Sequence, residues 1–146
     1  MKTTPSGRGR YLVNGLLLAL PAWWLYASLN PVFEPEWEER SAGPFVAAPT
    51  PADAAPPYPH GDRLYKDFSV RFCEDCVARI RQAYLGVGAA PAPLPDDAAG
   101  LLHGNRFGQH AHAPFPAQPQ PGDRLWLTVE DWHGQRHHAS WALPEE

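Results

Sequence analysis

Phe72-Cys73-Glu74-Asp75-Cys76-Val77-Ala78-Arg79-Ile80 holds the only two cysteines of the 146-residue chain, with two residues between them. Two thiols at that spacing can close a small disulfide ring or grip one soft metal ion. Upstream, Leu64, Phe68, Val70 and Phe72 alternate with Tyr65, Asp67, Ser69 and Arg71, the period-two pattern of a half-buried strand. Downstream, Val77, Ile80 and Tyr84 recur at helical spacing, Arg79, Arg81 and Gln82 fall off that stripe, and Gly86 sits where a helix would stop. The pattern predicts a strand-to-helix junction with both cysteines in the first helical turn. The surrounding fold class is then α+β.

Composition limits how much of the chain can form that fold. The 18 prolines and 12 glycines make up about a fifth of the residues, so the folded part is expected to be much shorter than the chain. A net charge of -4 and a pI near 5.9 leave no basic stripe to neutralise phosphates, which excludes a nucleic-acid partner.

From Tyr11 to Leu29 the chain carries no charged side chain. At about 1.5 Å per residue this run spans about 28 Å as a helix, enough to cross a bilayer. Lys2, Arg8 and Arg10 precede it and Glu34, Glu36, Glu38 and Glu39 follow it, so the positive-inside bias puts residues 1–10 in the cytoplasm and everything after Asn30 outside. Trp23, Trp24 and Tyr26 gather at the outer end, where amphipathic rings favour the headgroup level. A cleavable signal peptide is the rival reading, but Leu25-Tyr26-Ala27 and Leu20-Pro21-Ala22 are poor cleavage sites, and the segment reads as a single uncleaved anchor.

Residues 30–59 are acidic and then rich in Ala and Pro, with Pro44, Pro49, Pro51, Pro56, Pro57 and Pro59 blocking helix. They read as a semi-stiff linker in front of a small module at 60–146. Within that module residues 86–122 return to Gly, Pro and polar residues and read as a long flexible loop. The loop holds three of the seven histidines, His103, His110 and His112. His110 and His112 are two apart, which puts both imidazoles on one side of an extended chain, where they can share a metal ion.

Leu125 to Leu143 reads as a hairpin with His133-Gly134 as a two-residue turn, pairing Asp131 with Arg136, Glu130 with His137, and Trp126 with Trp141. Both faces of that hairpin are apolar and need cover. Gly61-Asp62-Arg63-Leu64-Tyr65 and Gly122-Asp123-Arg124-Leu125-Trp126 echo each other as turn chemistry before a strand.

Three chemistries stay open for the cysteines. Outside the membrane they would tend to pair, giving a structural disulfide, yet so short a ring removes little chain entropy. A redox role needs a thiolate, which Glu74 and Asp75 disfavour. A metal site would use Cys73 and Cys76, with His110 and His112 as helpers, for a copper, iron or zinc ion. No Gly-x-Ser-x-Gly, phosphate-binding glycine loop or His-Glu-x-x-His occurs, so no catalytic residue is assigned and a non-enzymatic role is expected.

Cys73-Glu74-Asp75-Cys76-Val77-Ala78-Arg79-Ile80 with Gly86-Val87 resembles the metal-binding segment of heavy-metal-associated domains, where a strand ends in two cysteines that open a helix. The stretch also partly resembles thioredoxin, with Phe72 at the place where that family usually carries Trp. In layout, a single anchor, acidic exit, proline spacer and small cysteine-bearing module resemble accessory proteins found with inner-membrane siderophore-iron reductases of the PepSY type. That resemblance implies a bacterial inner-membrane location with the module in the periplasm, a role in iron or copper handling, and a larger membrane partner such as a reductase or transporter.

Overall fold

A computed structural model describes residues 7–94 and 96–144. Of the basic residues before the apolar run, Lys2 lies outside the described residues, as do the side chains of Arg8 and Arg10. In chain order the elements are α1 (Gly7–Leu29), β1 (Arg40–Ala42), β2 (Phe45–Pro51), β3 (Tyr58–His60), β4 (Arg63–Phe72), α2 (Cys76–Arg79), β5 (Ile80–Gly88), β6 (His103–Asn105), β7 (Gly108–Phe115), β8 (Arg124–Asp131) and β9 (Arg136–Ala142). The fold class is α+β, with a helical unit that ends at Phe33 and a strand-rich unit that begins at Glu34.

The helix α1 contains the 19-residue stretch Tyr11–Leu29, which is long and apolar enough to cross a membrane. Its apolar side chains, among them Leu12, Leu18, Trp23 and Trp24, are exposed all round, as a lipid-facing helix requires. Asn30 closes the C-terminal end, donating to the Tyr26 carbonyl from its backbone at 3.1 Å and from Nδ2 at 2.8 Å. That pairing satisfies a carbonyl the helix itself leaves free.

The strand-rich unit is two antiparallel sheets closed over one core. One sheet runs β1-β2-β4-β7-β6, with β3 also paired to β4, and the other runs β5-β8-β9. The first contributes Phe45, Ala47, Phe68, Val70, Ala111 and Ala113 to the core; the second contributes Ala83, Leu85, Leu125, Leu127, Val129, Ala139 and Trp141. Burying side chains such as Phe68 or Leu127 is worth about 1.5–3 kcal/mol each. The alternation expected over 64–72 is present, since Phe68 and Val70 are buried while Ser69 and Arg71 face outward.

Four expectations change. First, the run after the cysteines is helical only over Cys76–Arg79 and becomes strand β5 at Ile80. A short apolar run fits both periods, and here the long ladder with β8 decides, burying Ala83 and Leu85 against Val129 and Leu127. Tyr84 faces the other way and its hydroxyl donates to the Ala92 carbonyl at 3.0 Å.

Second, residues 40–42, 45–51 and 58–60, read as linker, are strands of the larger sheet. The prolines fit because of parity. The Pro49 carbonyl accepts from Trp37 N–H at 2.9 Å on the side away from β4, whereas Ala52 N–H donates to Asp67 of β4 at 2.9 Å. Residues 49 and 51 therefore point away from β4, and the ladder never asks them for an N–H. Arg71 ties down the acidic segment, holding Glu36 in two bonds of 2.7 and 2.6 Å and Glu39 at 2.9 Å. Trp37 packs edge-on against Phe68.

Third, much of the expected flexible loop is folded. Leu85 N–H donates to the Gly100 carbonyl and Leu102 N–H to the Ala83 carbonyl, both at 2.8 Å, so residues 100–102 run along the free edge of β5. They lead into the β6–β7 hairpin, and β7 then pairs with β4 from Leu64 to Val70.

Fourth, the β8–β9 hairpin exists with its register moved by one residue. Glu130 pairs with Arg136, Val129 with His137 and Leu125 with Trp141. Trp141 therefore joins Leu125, Leu127 and Val129 in the core, and Trp126 faces the other side, where its Nε1 donates to the Gly88 carbonyl at 3.0 Å. The echoed Gly-Asp entries do both turn into strands, Gly61 and Gly122 taking positive φ of 64° and 97° just before β4 and β8.

Candidate functional site

Alternation along β7 buries Ala111 and Ala113 and leaves His110 and His112 exposed on the outer face of the larger sheet. Register then adds residues from the neighbouring strands. His103 lies opposite His110, Ser69 opposite His110 on the other side, and Asp67 opposite His112. Directly opposed residues share a face, so three imidazoles and one carboxylate gather there. The ring centroids are 3.8 Å apart for His103 and His110, 5.7 Å for His103 and His112, and 6.2 Å for His110 and His112.

The hydrogen bonds decide which ring nitrogens are free. His112 Nδ1 stands 2.6 Å from Asp67 Oδ1, and Tyr58 donates its hydroxyl to the same oxygen at 2.8 Å. Partial burial pushes the Asp67 carboxyl up, but the hydrogen bonds of His112 and Tyr58 and the nearby His charges outweigh it, leaving Asp67 more acidic than usual. An ionised Asp67 only accepts, so the proton of this bond is carried by His112 Nδ1, and in the neutral form of the ring the lone pair is on Nε2. Tyr58, donating to that carboxylate, is pushed above the ordinary phenol range. His103 is held likewise, with Nδ1 3.2 Å from the Leu101 carbonyl. Two of the three imidazoles thus offer Nε2.

Among the described residues, no group of three His, Cys, Asp or Glu side chains is placed to hold a metal ion. Imidazoles sharing one ion at about 2.0–2.1 Å have centroids on the order of 5 Å apart, which lies inside the observed spread. A cleft of about 440 Å³ opens here, lined by His103 and His112 together with Tyr58, His60, Tyr65 and residues 98–101.

The cysteines form a separate place. Cys73 and Cys76 are joined in a disulfide at the far end of β4. Cys76 N–H donates to the Cys73 carbonyl at 3.1 Å, and Asp75 has φ 58° and ψ 2°, which makes the four residues a tight turn of type II shape. Both cysteines were expected in the first helical turn, but Cys73 lies outside the single turn that Cys76 opens. Cys73 N–H reaches the Val46 carbonyl at 3.0 Å, and Val46 N–H returns to Cys73 Sγ at 3.2 Å. Arg79 Nη2 stands 3.2 Å from Cys76 Sγ.

The structure therefore brings His110 and His112 together and pairs Cys73 with Cys76, but it does not join the two pairs. His110 is level with Ser69, four residues before Cys73, which is about 13 Å along a strand. The sequence reading missed His103 as a third imidazole, and also Asp67 and Tyr58. Asp67 was visible only as an outward residue of β4; strand register alone places it against His112.

The chain belongs to the family described as uncharacterised conserved protein UCP029505, whose model matches residues 7–144. No curated protein and no solved structure matches it.

Proposed function

We propose that the protein is a membrane-anchored, non-enzymatic accessory in metal handling, and that its metal site is the histidine cluster His103, His110 and His112. The observation that carries this reading is the meeting of three imidazoles on one sheet face, with Asp67 on the Nδ1 of His112. A carboxylate behind a ligating histidine fixes the ring, selects the tautomer and raises ligand basicity. Three imidazoles leave at least one position for water or a ligand and favour Cu(II) or Zn(II) over harder ions. In this reading Cys73 and Cys76 are not ligands, since a disulfide offers no thiolate.

The basic N-terminal residues and the acidic residues after α1 support a single span with the strand-rich unit on the outer side, in the periplasm of a bacterial inner membrane. So exposed a site suits an ion that is passed on, and a larger membrane protein such as a reductase or transporter is the partner we assign to it. Titration of the full-length protein in detergent with Cu(II) and Zn(II) tests the site. One ion bound per chain, with binding abolished in the His110→Ala/His112→Ala variant, is the expected result. Wild-type protein that binds neither ion refutes the reading.

A further inference from the structure

We propose that the Cys73–Cys76 disulfide is exchangeable, with Cys73 the sulfur that an incoming thiolate attacks and Cys76 the sulfur that leaves. This does not rest on the metal reading, and its test is run in the presence of a chelator. The asymmetry of the two sulfurs carries it. Cys76 is 0% exposed, while Cys73 is only partly buried at the rim of the core, so an external thiolate reaches Cys73.

Each sulfur faces a donor that would stabilise it as a thiolate. Arg79 Nη2 lies 3.2 Å from Cys76 Sγ, and its guanidinium is steadied over the Phe45 ring at 5.2 Å from the centroid. The backbone N–H of Val46 lies 3.2 Å from Cys73 Sγ. A leaving thiolate paired to a guanidinium departs faster, because exchange speeds up as the leaving thiol becomes more acidic. Arg79 is thus a positioning residue that acts through Cys76.

The steps balance with a dithiol protein as co-reactant. Its first thiolate attacks Cys73 Sγ, forming a mixed disulfide as the Cys73–Cys76 bond breaks. The bonding pair stays on Cys76 Sγ beside Arg79 and later takes a proton from solvent. The partner's second thiolate then attacks the partner sulfur of the mixed disulfide, expelling the Cys73 thiolate onto the Val46 N–H. The Cys73 thiolate then takes up a proton, the two protons matching those the partner's thiols released on ionising; the partner dithiol is oxidised to a disulfide, and this chain's disulfide is reduced to two thiols.

The test uses the full-length oxidised protein in detergent with reduced glutathione as the probe. Arg79→Gln is expected to slow reduction about five- to tenfold and Arg79→Lys to restore most of the rate, with both oxidised variants still folded and melting cooperatively. With oxidised glutathione, Cys76→Ser is expected to form a mixed disulfide at Cys73 far faster than Cys73→Ser does at the buried Cys76. Equal reduction rates for wild type and Arg79→Gln overturn the proposal. So do equal reactivities of the two single-cysteine variants, or a wild-type disulfide that glutathione leaves intact in the folded protein.

Discussion

Asp67 of β4 and His112 of β7 face each other across the ladder, with 2.6 Å between Oδ1 and Nδ1. In the proposed metal site the pair makes Asp67 a support behind His112 and not a ligand. Asp67→Asn keeps the shape and removes the charge, and loss of such a support costs about 10–100-fold in metal affinity. Competition titration against a chromophoric chelator checks this, with circular dichroism confirming the fold; unchanged affinity would detach Asp67 from the site.

Acid sensitivity should trace in part to Glu130. Gln82 donates to it at 3.1 Å, Arg136 at 3.3 Å and Arg81 at 2.8 Å. These bonds, led by that of Gln82, hold the Glu130 carboxyl below its ordinary 4.5. A carboxyl made more acidic by folding stabilises the fold above pH 4.5, and that contribution is lost as pH falls through the folded value. Thermal melts from pH 7 to pH 3 are expected to fall less steeply for Glu130→Gln than for wild type, from a lower starting point. Parallel curves would remove Glu130 from the account.

Gly100 is a position where only glycine fits. Its φ is +78°, and a Cβ there would run into the Leu85 carbonyl and the Pro114 ring. The backbone conformation alone costs a larger residue about 1–2 kcal/mol, and the collision with a carbonyl that cannot move away adds to it. Gly100→Ala should therefore shift urea unfolding by more than about 1 kcal/mol and release residues 100–102 from the edge of β5, seen as faster amide exchange at Leu85 and Leu102.

Trp141 Nε1 stands 2.6 Å from the Glu38 carbonyl, a bond that spans 103 residues and pins the acidic segment to the core. Trp141→Phe keeps an aromatic ring in the core but loses that hydrogen bond, at a cost of about 0.5–1.5 kcal/mol besides the lost packing. Limited proteolysis is expected to cut between residues 34 and 40 in the variant and spare them in wild type. Equal cutting in both would mean that the segment is loose in the native protein.

How far the chain could be read before its structure depended on which physical constraint was local. The strand at 64–72 and the hairpin at 124–142 carry period-two patterns that need no partner to be recognised. The hairpin register depended on the turn, and the turn is longer than His133-Gly134. Asp131 Oδ1 accepts from His133 and Gln135 N–H at 2.8 and 2.9 Å, stretching the connection so that Glu130 meets Arg136. One residue of slip parted Trp126 and Trp141, carrying Trp141 to the core face with Leu125 and leaving Trp126 on the other. Proline content misled for a related reason, since it reports which donors are missing and not whether a ladder needs them. His110 and His112 were legible as a pair from their spacing, but His103 and Asp67 reach them only through non-local pairing.

Pro49 and Pro51 leave one last mark on the behaviour of the chain. Past β1 the margin of β2 has no hydrogen to lend at either position, and Pro49 has already given its oxygen to Trp37. A foreign strand looking for a template finds no foothold on that flank. Where many copies crowd together, they can jostle without zipping into aggregates through that border.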